Sequence, residues 1–302
     1  MGQASGDAEA SSNDGPTAAT APDNPLALSL LQVDSPTAEP RSERLDRVGQ
    51  LVRAEAAEHK PDVVVLPELW PTGFFHFDQY RAEAEPIDGA TVTHLADLAR
   101  STGTWLFGGS FIEQGRDDLL YNTSVCFSPA GEMKGRYRKI HLFGFESDEA
   151  RTLTPGVEAR AFDTSFGRVA MTTCYDLRFP ELYRQLIDQD VEMVVVSSAW
   201  PEKRRDHWEL LNRARAVENL AWVVACNASG VQDGTQLAGS SLVVSPWGEV
   251  IGPAEPGQVW LRATVDPGEA RRVRASFPAL QDRRGAVAVG DAVASRAPKS
   301  AP

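Results

Sequence analysis

Short runs of apolar and β-branched residues that alternate with helix-like segments constrain the fold of this chain more than any other feature. Runs of the first kind indicate strands buried in a sheet, and apolar residues three and four positions apart indicate helices packed on it. In the first half, strands are predicted at 26–33, 63–69, 104–111, 121–129 and 131–140, with helices at 41–59 and 91–101. In the second half, strands are predicted at 168–176, 191–200, 222–229, 240–251 and 259–266, with helices at 180–188 and 207–220.

The repeated order of these elements predicts an α/β fold of two similar halves. Each half would form one sheet with its helices on one face, and the two sheets would pack together through their other faces. No linker is long enough to divide the chain, so we expect one domain from 25 to 284. Residues 1–24 and 285–302 contain little that a core could bury. We therefore expect a disordered N-terminal tail and a C-terminal tail that is flexible or docked on a partner subunit.

Charge and cysteine content argue against several classes of protein. The chain has 30 Lys and Arg against 42 Asp and Glu, a net charge of −12, which disfavours binding to nucleic acid or to an anionic membrane surface. No apolar run approaches the roughly 20 residues that span a bilayer. Three cysteines are too few for a disulfide scaffold, and none has the spacing of a metal site. With no basic residue before Arg41 to mark a secretory signal, we expect a cytoplasmic protein.

A glutamate follows one of the predicted buried strands. Glu68 lies in the segment Leu66-Pro67-Glu68-Leu69-Trp70, between apolar neighbours. A glutamate in such a loop can simply be solvated. If it is buried instead, it is a candidate general base.

A lysine and a cysteine occupy comparable positions. Lys139 stands directly before Ile-His-Leu-Phe, an apolar context that is unusual for a lysine that serves only solubility. Cys174 falls at the junction between a predicted strand and a predicted helix, where a side chain is presented at a sharp turn. Cys126 and Cys226 lie inside strand runs, and we interpret them as core residues. A carboxylate, an ammonium and a thiol together would supply a base, a cation and a nucleophile.

The segments around these three residues resemble the signature regions of the carbon–nitrogen hydrolase, or nitrilase, superfamily. They read LPELW, YRKIHLF and TCYDLRFPELYRQL, and HWELLNRARAVENLAWVVACN and SLVVSPWGEV match later regions. The resemblance extends over about residues 26–284. It implies a four-layer αββα sandwich, with two mixed sheets flanked by helices, that assembles into a homodimer or a higher homo-oligomer.

The resemblance also implies the roles of the site residues. Glu68 would accept the proton of Cys174 as the sulfur attacks an amide carbonyl. Lys139 and the backbone N–H of Tyr175 would stabilise the oxyanion, and a thioester would form and then be hydrolysed.

A second glutamate and the absence of a cofactor follow from the same resemblance. A further catalytic glutamate of the family matches Glu149, which would hold Lys139 or the substrate amide in place. Glu146 is the alternative, because the alignment crosses a loop of variable length. Neither a metal nor an organic cofactor is implied.

One branch of the superfamily is the most similar. The segment SSAWPEKRRDHWELLNRARAVENLAWVVACNASG resembles bacterial ω-amidases, which hydrolyse the terminal amide of short 2-oxo acids such as 2-oxoglutaramate. The implied substrate is a small anion. We expect Phe74 and Trp200 to form walls of its pocket, and Arg138 or the run Lys203-Arg204-Arg205 to face its carboxylate. The two aromatic residues can equally be plain core or interface residues.

Other functions remain open at this point. An amidase for deaminated glutathione or an N-carbamoyl amino acid hydrolase would use the same four catalytic residues. A true nitrilase is disfavoured, because Tyr-Asp follows Cys174 where that branch has Trp-Glu. A papain-like pair of Cys174 with His141 or His207, and a non-catalytic scaffold, are the alternatives outside the superfamily chemistry.

The composition of the N-terminal segment leads to a first prediction. Removing residues 1–24 should leave the melting temperature and the rate of amide hydrolysis nearly unchanged, because these residues offer almost no apolar surface to a core. Thermal unfolding and ammonia release of the truncated and full chains test this. A large drop in melting temperature would mean that the segment packs on the domain.

Overall fold

The computed structural model describes residues 25–145 and 147–284; the predicted tails, 1–24 and 285–302, and Glu146 lie outside these ranges. The strands are β1 Leu26–Leu31, β2 Val63–Val65, β3 Trp105–Gln114, β4 Leu120–Phe127, β5 Met133–Arg138, β6 Phe162–Thr164, β7 Gly167–Thr173, β8 Met193–Ser198, β9 Trp222–Asn227, β10 Val231–Gln232, β11 Thr235–Gln236, β12 Leu242–Val244, β13 Val250–Ile251 and β14 Trp260–Val265. The α-helices are α1 Arg41–His59, α2 Tyr80–Glu83, α3 Ala90–Thr102, α4 Glu149–Thr152, α5 Pro180–Ile187, α6 Arg205–Asn219 and α7 Glu269–Ser276. Short 3-10 helices cover Phe77–Gln79, Arg116–Asp118, Cys174–Arg178 and Glu202–Arg204.

Two mixed sheets of six strands form the centre of the molecule. Sheet 1 has the order β14-β1-β2-β3-β4-β5, and sheet 2 has the order β13-β12-β9-β8-β7-β6. Strands β1, β2 and β3 are parallel, as are β7, β8 and β9. Parallel neighbours need long crossover connections, and α1, α3, α5 and α6 lie in those connections. No helix in the described ranges is both long enough and apolar enough to cross a membrane.

The prediction of two halves that each form one sheet is wrong at the last strand. β14 comes from the second half of the chain but pairs antiparallel with β1, from Leu26 opposite Val265 to Leu31 opposite Trp260. The single strand predicted at 240–251 is also two short strands, β12 and β13, which form a hairpin. An apolar run does not specify its partner, because any strand with that pattern can pair with a free sheet edge.

Three apolar layers hold the sandwich together and confirm the predicted αββα arrangement. Between the sheets, side chains of sheet 1 such as Phe107 meet side chains of sheet 2 such as Val195. On the outer face of sheet 1, α1 and α3 pack through residues such as Val48 and Leu95. On the outer face of sheet 2, α5 and α6 pack through residues such as Trp208. Cys126 and Cys226 are buried in the layer between the sheets, as predicted.

The predicted catalytic side chains lie at one edge of this sandwich. Glu68 follows β2, Lys139 directly follows β5, Cys174 directly follows β7 and Ala199 directly follows β8. The pairing makes β5 run in the same direction as β2, through β3 and β4. Strand ends that are far apart in sequence therefore meet between the two sheets, and carboxyl-terminal strand ends are the usual place for a binding site.

The turn that carries Glu68 is pressed against β3, and a glycine allows that approach. Gly109 has φ +68°, and a Cβ atom there would lie 2.0 Å from the carbonyl oxygen of Pro67. The indole N–H of Trp70 donates to the carbonyl of Gly108 at 2.9 Å, and the Leu69 N–H donates to the Ser110 hydroxyl at 2.9 Å. The position of the Glu68 turn therefore depends on the absence of a side chain at residue 109.

We predict that Gly109→Ala lowers the free energy of unfolding by about 2–5 kcal/mol, because it combines left-handed strain with overpacking against Pro67. Gly103→Ala is the matched control: it has the same φ of +68° but no atom within 4 Å of the added Cβ. It should therefore cost only the strain, about 1–2 kcal/mol. Urea unfolding measures both. If both variants lose the same free energy of unfolding, the turn at Pro67 moves to accommodate the added methyl group and the prediction is wrong.

Candidate active site

Glu68 is buried rather than solvated, at 1% exposure. Its Oε1 accepts hydrogen bonds from Lys139 Nζ and from Asn122 Nδ2, each at 2.8 Å. Its Oε2 accepts the backbone N–H of Ala199, which follows β8, at 2.9 Å. The carboxylate is therefore held by groups from both sheets.

Lys139 lies fully buried between two carboxylates. Its ammonium is 2.8 Å from Glu68 Oε1 and 2.8 and 2.9 Å from the two oxygens of Glu149. Burial alone would lower the pKa of Lys139, but the facing carboxylates of Glu149 and Glu68 raise it more, so the pKa lies above its ordinary value. Lys139 is therefore a permanent cation in this site.

Glu149 reaches Lys139 from the first turn of α4. Its side chain is fully buried, and its Oε2 also accepts the backbone N–H of Phe143 at 2.7 Å. Burial raises the pKa of Glu149 above its ordinary value, although Lys139 opposes this shift. Two carboxylates share one ammonium, so the cluster would carry an excess negative charge if both were ionised.

Cys174 occupies the sharp turn between β7 and the 3-10 helix that follows, at φ +46°. Asp176 fixes this turn: its carboxylate accepts the Thr173 N–H at 3.0 Å, the His141 N–H at 2.9 Å and the Tyr137 hydroxyl at 2.7 Å. The same carboxylate therefore joins the turn of Cys174 to the segment that follows Lys139. Tyr175, the second residue of the short helix, is at a helix start, where N–H groups lack partners within the helix.

The thiol of Cys174 is protonated in this environment. Burial and the negative charge of Glu68 raise its pKa, and the nearby ammonium of Lys139 only partly opposes them. A nucleophilic sulfur at this position therefore needs a base to take its proton, and Glu68 is the carboxylate with the strongest effect on it.

A small pocket opens onto Cys174. Phe74 and Trp200, the two predicted wall residues, line it, and Lys139 Nζ lies 5.1 Å from the centre of the Phe74 ring. The full lining consists of Phe74, Phe75, Phe143, Cys174, Tyr175, Arg178, Ala199, Trp200, Pro201 and Arg204.

Arg138 is not in this pocket, so its assignment to the substrate is corrected. Neighbouring residues on a strand point to opposite faces, and Arg138 is the last residue of β5, next to the buried Lys139. Its guanidinium pairs with Glu113 at 2.6 Å and lies 3.6 Å from the centre of the Tyr121 ring, in a different surface cavity.

Arg178 and Arg204 are the cations that line the pocket. Arg178 lies over the ring of Trp200 at 4.8 Å, and Arg204 over the ring of Phe143 at 5.2 Å. Among the described residues, neither guanidinium forms an ion pair with a carboxylate. The run Lys203-Arg204-Arg205 did suggest a cationic residue here, but its spacing could not show which of the three turns inward.

The histidines do not form a pair with Cys174. The His141 Nδ1–H donates to Asp176 Oδ1 at 2.8 Å and its ring stacks on Phe179, and the His207 ring contacts Arg178. Neither lines the pocket. Within residues 25–145 and 147–284, no group of three His, Cys, Asp or Glu side chains is arranged to hold a metal ion.

Comparison with known proteins agrees with this geometry. Residues 27–275 match the family model described as carbon-nitrogen hydrolase. The chain is 36% identical to the 2-oxoglutaramate amidase of Paenarthrobacter nicotinovorans, over 86% of this chain and 90% of that protein. It is 34% identical to the 2-oxoglutaramate amidase of Bacillus subtilis, over 85% of this chain and 97% of that protein.

A solved structure shows the same fold. Nit3 of Saccharomyces cerevisiae, a member of branch 10 of the nitrilase superfamily, superposes with a TM-score of 0.79 at 29% identity, over 89% of this chain and 100% of that chain. The family match covers most of the chain, and the likeness in sequence and in fold extends over the same region. This chain therefore belongs to the carbon–nitrogen hydrolase family and is a hydrolase of carbon–nitrogen bonds other than peptide bonds.

Proposed function

We propose that this protein hydrolyses the terminal carboxamide of a small carboxylic acid to the acid and ammonia through a thioester on Cys174. A 2-oxo acid amide such as 2-oxoglutaramate is the proposed substrate, in keeping with the names of the relatives. The observation that carries the proposal is the buried cluster of Glu68, Lys139 and Glu149 beside Cys174.

The reaction begins with proton transfer from sulfur. Glu68 accepts the proton of Cys174 as the sulfur forms a bond to the amide carbonyl carbon, and the carbonyl electrons move to oxygen. Lys139, which stays charged, and the Tyr175 N–H stabilise that oxyanion. Glu68 then gives its proton to the leaving nitrogen, the carbon–nitrogen bond breaks, and ammonia departs from a thioester.

The second half-reaction returns the free thiol. Glu68 takes a proton from a water molecule that attacks the thioester carbonyl, and the same donors stabilise the second oxyanion. The carbon–sulfur bond breaks, Cys174 recovers its proton, and the acid leaves. Glu149 keeps Lys139 in position through its hydrogen bonds to the ammonium.

The pocket is suited to a small amide that carries a negative charge. Arg178 and Arg204 line it with no carboxylate partner among the described residues, in a protein whose net charge is −12. Their neighbour Arg205, by contrast, pairs with Glu202. Two uncompensated guanidiniums are well placed to recognise a carboxylate, to which guanidinium geometry is complementary.

The reducing cytoplasm is the proposed location, because the reaction needs a free thiol on Cys174. A homodimer or higher homo-oligomer is the proposed assembly. Large apolar side chains on the surface, among them Leu210 and Trp247, are exposed by 65% and 52% and suit contact with a second copy.

We predict that Cys174→Ala abolishes ammonia release, because no other group in the pocket can form the thioester. Ammonia is measured with 2-oxoglutaramate, glutamine and N-carbamoyl amino acids, and the release of cysteinylglycine is measured with deaminated glutathione. Mass spectrometry of the quenched wild-type protein should show the acyl group on Cys174. Ammonia release at the wild-type rate by Cys174→Ala would refute the assignment, and preference for another amide would redirect the substrate.

We predict that Arg178→Met and Arg204→Met each raise KM for 2-oxoglutaramate by about 10–100-fold, the value of one charge-assisted hydrogen bond. KM for neutral pentanamide should change little. Arg138→Met is the matched control, since that guanidinium faces a different cavity, and it should keep the wild-type KM. If the arginine variants raise KM equally for 2-oxoglutaramate and for pentanamide, these arginines do not recognise the substrate carboxylate.

A further inference from the structure

Asn122 joins the two buried carboxylates and has no place in the reaction described above. Its side-chain Nδ2 donates to Glu68 Oε1 at 2.8 Å and to Glu149 Oε1 at 3.0 Å. Lys139 Nζ donates to the same two oxygen atoms, at 2.8 Å each. The amide and the ammonium therefore bridge one pair of oxygens from two sides.

The hydrogen bonds of Lys139 leave it no proton for a substrate in this arrangement. An ammonium has three protons, and three carboxylate oxygens, one of Glu68 and two of Glu149, lie 2.8–2.9 Å from Nζ. To stabilise an oxyanion, Lys139 must turn at least one proton away from a glutamate. A buried carboxylate oxygen that loses its donor is costly, and two such carboxylates repel each other.

We propose that Asn122 is a positioning residue that keeps Glu68 and Glu149 in place and ionised while Lys139 turns a proton to the substrate oxyanion. The inference rests on the proposed function, in which Lys139 stabilises that oxyanion. Both N–H bonds of the amide are already directed at the oxygens that Lys139 would release, so no rearrangement of Asn122 is required.

The position and orientation of the amide favour this role. Asn122 lies in β4 and is fully buried, and its backbone carbonyl accepts the Lys139 N–H at 2.9 Å. Its side-chain Oδ1 is buried and has no hydrogen-bond partner within residues 25–145 and 147–284. If Nδ2 and Oδ1 exchanged places, the amide would donate no hydrogen bond to Glu68 or Glu149, and Oδ1 would face two carboxylates. An unpartnered oxygen is an unfavourable feature that the two donated hydrogen bonds offset.

The charged and titratable groups around the pair come from several elements. Lys139 follows β5, Glu149 begins α4, Cys174 follows β7 and Tyr80 begins α2. Burial raises the pKa of Tyr80 most, and the carboxylates of Glu149 and Glu68 raise it further. Arg178 lies in the lining of the pocket. Asn122 is a donor that carries no charge and does not titrate, so replacing it with an apolar residue changes hydrogen bonding without removing a charge.

The test uses Asn122→Leu, which keeps similar bulk without a donor, and Asn122→Ala, which removes the amide; neither variant adds a charge beside the two carboxylates. Losing two donors disfavours the ionised carboxylates, so the acid limb of kcat/KM for 2-oxoglutaramate should move up by about 1–2 pH units. The value of kcat should fall by about tenfold or more, with KM within about threefold. The pH dependence of Cys174 alkylation by iodoacetamide should shift in the same direction.

Thr123→Val is the matched control. Thr123 is the next residue of β4, is buried, and donates to a buried glutamate, Glu113, at 2.7 Å on the opposite face of the strand. This variant should lose stability but keep both wild-type pH profiles. The melting temperature of each variant shows whether it is folded, and Asn122→Ala provides the test if the leucine variant is not folded.

Acid limbs that coincide with wild type in both folded variants, with kcat within twofold, would overturn the inference. Turnover of the amides tests the proposed function, whereas alkylation of Cys174 tests the effect of Asn122 without requiring a substrate. If the wild-type protein releases ammonia from none of the amides, the proposed function fails. The alkylation profiles would still decide whether Asn122 controls the two carboxylates.

Discussion

An ammonium enclosed by two carboxylates is the interaction on which the arrangement of the site depends. Removing charges from water is expensive, and the mutual attraction of Lys139, Glu68 and Glu149 offsets that cost only if the remaining oxygens also find donors. The structure supplies them from separate parts of the chain: the N–H groups of Ala199 and Phe143 and the amide of Asn122. The charges of the site are therefore stabilised only when the two sheets are packed in the observed arrangement.

The sandwich makes that solution possible because it brings chain segments together at a common edge. Glu68 belongs to sheet 1 and accepts a hydrogen bond from the end of β8 in sheet 2. Asp176, at the turn after β7, accepts the N–H of His141, which follows β5. Each contact crosses from one sheet to the other. A shift of the sheets by a fraction of an ångström would alter both, so the large apolar layer between the sheets also fixes the geometry of the site.

The sequence predicted the structure best where a residue pattern is typical of a single local environment. The spacing of apolar residues located α1 at the observed bounds. The apolar neighbours of Glu68 and Lys139 made both residues candidates for a site, and the structure buries both. The sequence-based prediction was wrong about Arg138, because it placed two adjacent cations in one pocket although neighbouring strand residues point to opposite faces. It did not single out Asn122, although asparagine is depleted in strands and a buried one is a signal. The pairing of β14 was not predictable either, since it depends on which edge is free.

That last pairing has a consequence for how the protein is made. Residue 26 pairs with residue 265, so β1, the first strand of the described residues, receives its outer neighbour only after about 200 further residues have left the ribosome. Until then one border of sheet 1 presents unpaired N–H and C=O groups, which are a template for pairing with other chains. Early translation products are thus more prone to aggregation than the finished protein, and truncation before β14 leaves a nascent polypeptide with an open edge.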